Sequence, residues 1–195
     1  MSASAGGNIR ANEYVLNDYR ATGLKVPGVY QLTNAISLLS KIAQPKDKET
    51  NSLYGLATFN YDNLWFVDVT ARNDWSSTLP KENRSYFYPS VSTSFILSDI
   101  LKFKSNTFNF WKLRASWSQV GNDTDPYSLV QFYNTRDFIG SAEIFSNYQN
   151  PTLRPEMNSN IEAGMDFSFF RNRLTYNVTV YQNNTKDQII DVPSL

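Results

Sequence analysis

From residue 65 to residue 74 the chain alternates strictly. Trp65, Val67, Val69 and Ala71 fall on one face, and Phe66, Asp68, Thr70, Arg72 and Asp74 on the other. A period of two is that of a strand with one apolar and one polar face. The preceding arm alternates more softly, setting Leu53, Gly55, Ala57, Phe59 and Tyr61 against Tyr54, Leu56, Thr58 and Asn60. Asp62-Asn63 lies between the arms, and because both residue types tolerate positive φ it predicts a two-residue hairpin turn. The pattern returns in residues 88–97, 110–120, 158–169 and 173–183. It is cleanest where Trp111, Leu113, Ala115 and Trp117 oppose Lys112, Arg114, Ser116 and Ser118. Residues 2–5 read as the end of a further strand. Within residues 6–50, Asn34 is placed to cap a short helix carrying Ile36, Leu39 and Ile42 on one side. Ser98 is placed to cap a turn at Asp99-Ile100-Leu101.

These strands are about as long as the roughly 9–11 residues that cross a bilayer at a tilt, whereas soluble strands have a mode of about 5–6. Length alone leaves two architectures open, a large soluble sandwich or barrel and an outer-membrane barrel. The connections discriminate between them. They run long (6–50), short (62–63), long (75–87), shorter (98–108), long (121–157) and short (170–172). In an up-and-down meander alternate connections share one end, so the large loops gather at one end and the tight turns at the other. That is the polarity of an outer-membrane barrel. The expected fold is therefore all-β: an antiparallel up-and-down meander of about six long strands. Six strands cannot close such a barrel, whose smallest forms have about eight. An open sheet would leave unpaired edges in lipid. The chain is thus expected to be a piece of a larger barrel.

Composition changes the picture mainly by exclusion. The 195 residues carry 18 basic and 18 acidic side chains, so no electrostatic case arises for nucleic acid as a partner. No apolar run reaches the about 18 residues of a transmembrane helix, although alternating strands would escape that criterion. Cysteine and histidine are both absent. Disulfides, thiolate or imidazole metal sites, cysteine nucleophiles and a Ser-His-Asp triad are thereby impossible within this chain. No catalytic, cofactor-binding or metal-ligating residue is expected. Residues 1–7 lack the basic and apolar regions of a signal peptide.

Several segments resemble one family. They are Asn51-Ser-Leu-Tyr-Gly55 with Asn60-Tyr61, Asp68-Val-Thr-Ala-Arg-Asn-Asp-Trp-Ser-Ser77, and Tyr86-Phe-Tyr-Pro-Ser-Val-Ser92. Lys112-Leu-Arg-Ala-Ser-Trp117 with Gly121-Asn122, Asn150-Pro-Thr-Leu-Arg-Pro-Glu156, Phe170-Arg-Asn-Arg-Leu174 and Thr185-Lys-Asp187 follow in order, and Leu24-Lys-Val-Pro-Gly-Val-Tyr30 matches a loop of closer relatives. Together they resemble the SusC/RagA family of TonB-linked outer-membrane proteins of Bacteroidetes. The resemblance implies a transmembrane barrel of about 22 strands of the TonB-dependent receptor type, plugged by an N-terminal domain. It also implies import of a glycan or peptide ligand with a SusD-like surface lipoprotein, in contact with outer-membrane lipid. TonB would be engaged through N-terminal parts. Residues 1–195 are expected to be partial barrel alone, with no plug domain, signal peptide or TonB box. The alternative is a non-transporting outer-membrane or surface β-sheet protein with adhesive loops.

Candidate positions follow from faces and loops. Asp68, Arg72, Lys112, Arg114, Glu162 and Asp166 share the polar face and are assigned to the lumen. Glu162 with Asp166 also admits a catalytic carboxylate pair, against solvated charges facing a plug. Trp65, Trp117, Phe169 and Phe170 suit sugar stacking or, beside the short turns, an interfacial aromatic girdle. Trp75, at a loop's start, and Tyr127, Phe132, Tyr133, Phe138, Phe145 and Tyr148, in the loop at 121–157, are the candidate ligand or partner contacts. Asp123-Thr124-Asp125 alternates like calcium ligands but lacks the rest of an EF-hand loop, so a polar loop is expected. One expectation concerns the chain in isolation. With apolar faces uninterrupted on at least five strands, it should form inclusion bodies and need detergent or denaturant. A monodisperse soluble monomer with cooperative thermal unfolding would remove the membrane reading.

Overall fold

A computed structural model describes residues 1–15, 17–42, 46–102, 105, 107–130, 133–135, 142–144 and 149–190. Seven strands form one antiparallel sheet in the order β1 (Ser2–Tyr14), β4 (Lys46–Tyr61), β5 (Trp65–Ser76), β6 (Ser85–Ile96), β7 (Phe108–Asn122), β10 (Glu156–Phe169) and β11 (Leu174–Lys186). Two small hairpins are inserted in the connections at one end: β2 (Asn17–Leu24) with β3 (Ala35–Ile42), and β8 (Tyr133–Thr135) with β9 (Ala142–Ile144). The sheet is a meander that does not close, and β1 and β11 are its edges.

The register carries the alternation across the whole sheet. Ala57, Val69, Val91, Trp117 and Ile161 lie in one cross-strand row, and Tyr61, Trp65, Phe95, Leu113, Met165 and Val178 in another. The other face carries rows such as Thr58, Asp68, Ser92, Ser116 and Glu162. A one-residue slip in any strand would exchange its faces, so the apolar band fixes the register. The usual interior is missing. Among the described residues the buried apolar side chains are Ala35, Leu79 and Tyr86, whereas Ile161 and Val178 are each 54% exposed on the apolar band. A sheet that leaves its aliphatic face this open requires an apolar surrounding.

At the turn end of that face the aromatic rings cluster. Trp65 stacks on Phe95 with centroids 5.6 Å apart, and Phe108, at 5.1 Å from Phe169, joins it to Trp111 and Phe167. Asp62 (φ 52°) and Asn63 (φ 54°) are both left-handed, as a primed turn requires. Leu64 donates back to Tyr61 O at 3.0 Å, so the connection is residues 62–64, one longer than expected.

Three expectations need correction. Residues 2–5 begin a strand rather than end one, and this strand raises the count to seven. Its signal was hidden because Gly6 interrupts the pattern. The Tyr54 ring lies so close over Gly6 that an added Cβ would sit 2.7 Å from its hydroxyl oxygen. The helix expected after Asn34 is instead β3, paired with β2 from Ala35–Leu24 to Ile42–Asn17. Hairpin pairing overrides a helical spacing of three apolar residues. Asn34 serves the hairpin tip, donating to Val26 O and Val29 O at 2.8 Å each and accepting from Val26 N at 3.1 Å. Ser98 lies inside the single helical turn Leu97–Ile100, without capping it.

The loop sorting is also less even than expected. Residues 15–45, 77–84 and 123–155 join strands at one end, and residues 62–64, 97–107 and 170–173 at the other. β5 and β6 extend to Ser76 and back to Ser85, so most of the anticipated 75–87 loop is strand or short connection, and 97–107 is the longer of that pair. The two longest connections still share an end. Pro89 marks a boundary, since β6 pairs with β7 only from Ser90 onward and the proline lacks the amide a further ladder bond would need.

Faces can be tested directly. Val69 sits on the exposed apolar band, and its neighbour Thr70 on the polar face hydrogen-bonds Ser90 at 2.6 Å. In the intact barrel Val69→Arg should lower the assembled amount in the outer membrane, an arginine facing lipid costing about 2–4 kcal/mol at the midplane. Thr70→Arg should leave it near wild type. Equal losses would mean reversed faces or no membrane.

Candidate functional site

The polar face carries two groups of charged side chains, nearer and further from the tight turns. In the first, Asp68, Lys112, Arg114 and Glu162 line a cavity of about 300 Å³ with Ser92, Ser94 and Thr179. Arg114 is held by Asp166, with Nε 3.1 Å from Oδ2 and Nη2 3.2 Å from Oδ1, and Nη2 also donates to Asn177 Oδ1 and Thr179 Oγ1. Asn177 Nδ2 donates to Asp166 Oδ1 at 2.6 Å. Glu162 accepts from Asn160 at 2.6 Å. Glu162 and Asp166 are four residues apart on β10, which sets their Cα atoms about 13 Å apart. Asp166 is already engaged by Arg114 and Asn177, and Glu162 by Asn160, so neither carboxylate stands free as a catalytic pair would.

The second group lies toward the long loops and was largely missed in the sequence. Arg72 Nε binds Asp74 Oδ1 at 2.7 Å, its Nη2 donates to Ser52 Oγ at 2.9 Å, and Tyr88 donates to Asp74 Oδ2 at 2.6 Å. The Arg72 guanidinium also lies over the Tyr54 and Tyr88 rings, at 6.0 and 5.9 Å. Next to it Asp123 takes Lys48 Nζ on Oδ1 and Ser76 Oγ on Oδ2, both at 2.5 Å. Asp123 follows β7, whereas Lys48 and Ser76 belong to β4 and β5. The loop root therefore reaches across the polar face, past β6. Asn83 Nδ2 donates to Thr152 O and Leu153 O at 3.2 and 3.1 Å, which ties the 77–84 connection to the returning side of the same loop. Tyr86 packs its ring on Gly121, where any Cβ would collide with it. Asp74, Ser76, Thr78 and Tyr86 are buried here. Asp74 repeats Arg72's face two residues on, a legible signal. The spacing at Asp123 points to calcium ligands or a polar loop and expects the loop, and its partners are remote in sequence.

The aromatic loop candidates separate. Tyr127 is 43% exposed and left-handed at φ 65°. Tyr133 opens the short strand β8. Phe132, Phe138, Phe145 and Tyr148 lie outside the described residues. Trp75 is inside β5 on the apolar face, between Asn51 and Ser85, and lines a cavity of about 400 Å³ with Glu49, Asn51 and Arg84. The structure brings Asp68, Lys112, Arg114, Glu162 and Asp166 together and places Arg72 in the outer group.

Over residues 3–195 the chain matches the family described as TonB dependent receptor-like, beta-barrel. The chain belongs to that family. It is part of an outer-membrane, multi-pass β-barrel. Among curated relatives, TonB-dependent receptor P3 of Formosa agariphila is 29% identical over 155 residues, 75% of this chain and 15% of that protein. TonB-dependent receptor SusC of Bacteroides thetaiotaomicron is 24% identical over 152 residues, 72% of this chain and 15% of that protein. The RagAB peptide transporter structure superposes with a TM-score of 0.78 at 25% identity, covering 99% of this chain and 22% of the matched one. This TonB-dependent receptor barrel segment thus spans about a sixth of its curated relatives.

The pin at Asp123 has a measurable consequence. In the full-length receptor Asp123→Ala removes the bonds to Lys48 and Ser76, each worth about 1–3 kcal/mol when one partner is charged. Barrel assembly should be unchanged, while limited proteolysis within residues 124–155 should quicken several-fold. Cleavage at the wild-type rate would show that Asp123 does not hold the loop.

Proposed function

We propose that this chain is one arc of the wall of a TonB-dependent outer-membrane transporter for nutrient uptake, carrying a glycan or a peptide. The observation that supports this most is the division of the sheet into an exposed apolar face and a hydrogen-bonded polar face. The apolar face meets lipid and the polar face lines the lumen, with Asp68, Arg72, Lys112, Arg114, Glu162 and Asp166 as wall charges. Paired charges such as Arg114–Asp166 suit a wet wall, where partly exposed ion pairs add little stability.

In this reading the end bearing residues 15–45, 77–84 and 123–155 is extracellular. A SusD-like lipoprotein sits over it, as the RagAB and SusC relatives suggest. TonB acts through the receptor's N-terminal parts. The loop 123–155, fastened by Asp123 at one root and by Asn83 at the other, presents Tyr127 to lipoprotein or cargo. Large amphipathic rings serve both kinds of surface.

Shortening residues 124–148 in the full-length protein should leave barrel assembly intact, because the strand ladder is untouched. Growth on the cognate nutrient, or co-purification of the lipoprotein, should fall. Normal assembly with both readouts unchanged would reduce the loop to a connection.

A further inference from the structure

At the outer end of the polar face Arg10 has no ion-pair partner among the described residues. Three cross-strand rows meet there: Asn8 with Ser52, Asp74 and Tyr86; Arg10 with Thr50 and Ser76; and Asn12 with Lys48. They enclose a cavity of about 260 Å³, whose lining also includes Asn122 and Asp123. A water molecule's share of liquid volume is about 30 Å³, so the space admits a carboxylate and part of the unit that bears it.

The two acids that line this space are already engaged. Asp74 is bound by Arg72 and Tyr88, and Asp123 by Lys48 and Ser76. The nearby acids of β1 and β4 are on the wrong face: Glu13 pairs across from Asp47 and Ala11 from Glu49, in the rows alternating with those of Arg10 and Asn12. Arg10 makes a single side-chain bond among the described residues, from Nε to Asn12 Oδ1 at 3.4 Å, which leaves both terminal nitrogens of its fork without a partner. Asn8 and Asn122 supply further donors around the same space.

We infer that Arg10, with the amides of Asn8 and Asn122, forms an anion subsite on the lumen wall that takes a carboxylate of the transported oligomer. The inference rests on the transport reading and goes beyond it by giving the cargo a charge. A guanidinium fork matches a carboxylate through two parallel hydrogen bonds, which a neutral ester or amide cannot reproduce. The carboxylate comes either from a uronate of a glycan or from an acidic residue of a peptide, and the chemistry at Arg10 is the same.

The test uses the full-length receptor purified in detergent, and calorimetry with two matched pairs of probes. The pairs are trigalacturonate with its methyl ester, and N-acetylated, C-amidated triglutamate with triglutamine blocked in the same way. Wild type should bind the acidic member of one pair about 10-fold or more tightly than its neutral counterpart, the difference a charge-assisted bond commonly makes. The pair that discriminates identifies the source. Arg10→Met should abolish the preference without changing affinity for the neutral probe, and Arg10→Lys should retain part of it. No preference in wild type, or a preference that survives Arg10→Met, overturns the subsite; the second result would follow if an acid elsewhere in the receptor neutralises Arg10. Growth on the cognate nutrient that depends on the receptor gene tests transport separately, so the subsite can fail while the transport reading stands.

Discussion

In the middle of a bilayer no water is available to a peptide group, and a backbone amide or carbonyl without a partner costs several kcal/mol. Everything in this structure follows from meeting that condition with strands. Seven neighbours donate and accept along continuous antiparallel ladders, and the irregular backbone is confined to the two ends. Once the ladders are set, side chains have only two directions, so the outward rows become Ala57, Val69, Val91, Trp117 and Ile161 while the inward rows become polar. The two sheet edges obey the same rule only when strands outside this chain continue the ladder, consistent with its covering about a fifth of the RagAB chain it matches.

The ladder constrains the middle of the wall and leaves its outer end to side chains. There the polar groups bind one another in an arrangement that joins strands not adjacent in the sheet. Asp123 reaches from the end of β7 to β4 and β5, and the Tyr86 ring fills the step where β6 no longer pairs with β7. A loop leaving a barrel rim can swing freely unless something other than its own strand fixes it. Here a charged bond to Lys48 and a buried hydroxyl do so, and the returning side is held through Asn83. Burial strengthens these bonds relative to exposed ones, because each would leave an unsatisfied group if broken.

How much could be read in the sequence depended on the constraint acting at each place. Where one side of a strand meets lipid and the other water, as in residues 65–74 and 110–120, alternation is imposed residue by residue and the faces are legible. β1 was not, because Gly6, Arg10, Asn12 and Glu13 answer to local requirements: room for a tyrosine ring, and polar surroundings near the rim on both faces. Asn34 followed a helix-start rule that its residue type satisfies equally well at a hairpin tip, and only the partner strand decides between them. That the wall charges share one face follows from parity alone. Which of them bind one another was not available, since Arg114 and Asp166 lie on neighbouring strands whose register must be known first.

The same division explains why a barrel wall carries so little of its specificity in the pattern that reveals it. The apolar rows are interchangeable among aliphatic residues, because lipid makes no directional demand on them. The polar rows are directional, and among the described residues three ion pairs hold their members to one another: Arg114 to Asp166, Arg72 to Asp74, Lys48 to Asp123. A charge bound within the wall is screened from cargo, and its partner compensates any field it would present. Discrimination then rests on the few groups left over and on the loops that decide what reaches them. Arg10 is such a group, beside a cavity whose two lining acids are committed, close beneath a loop whose root is fastened across the strands. Charge recognition and loop position therefore meet at one end of the sheet, and neither depends on the rows that hold the barrel in the membrane.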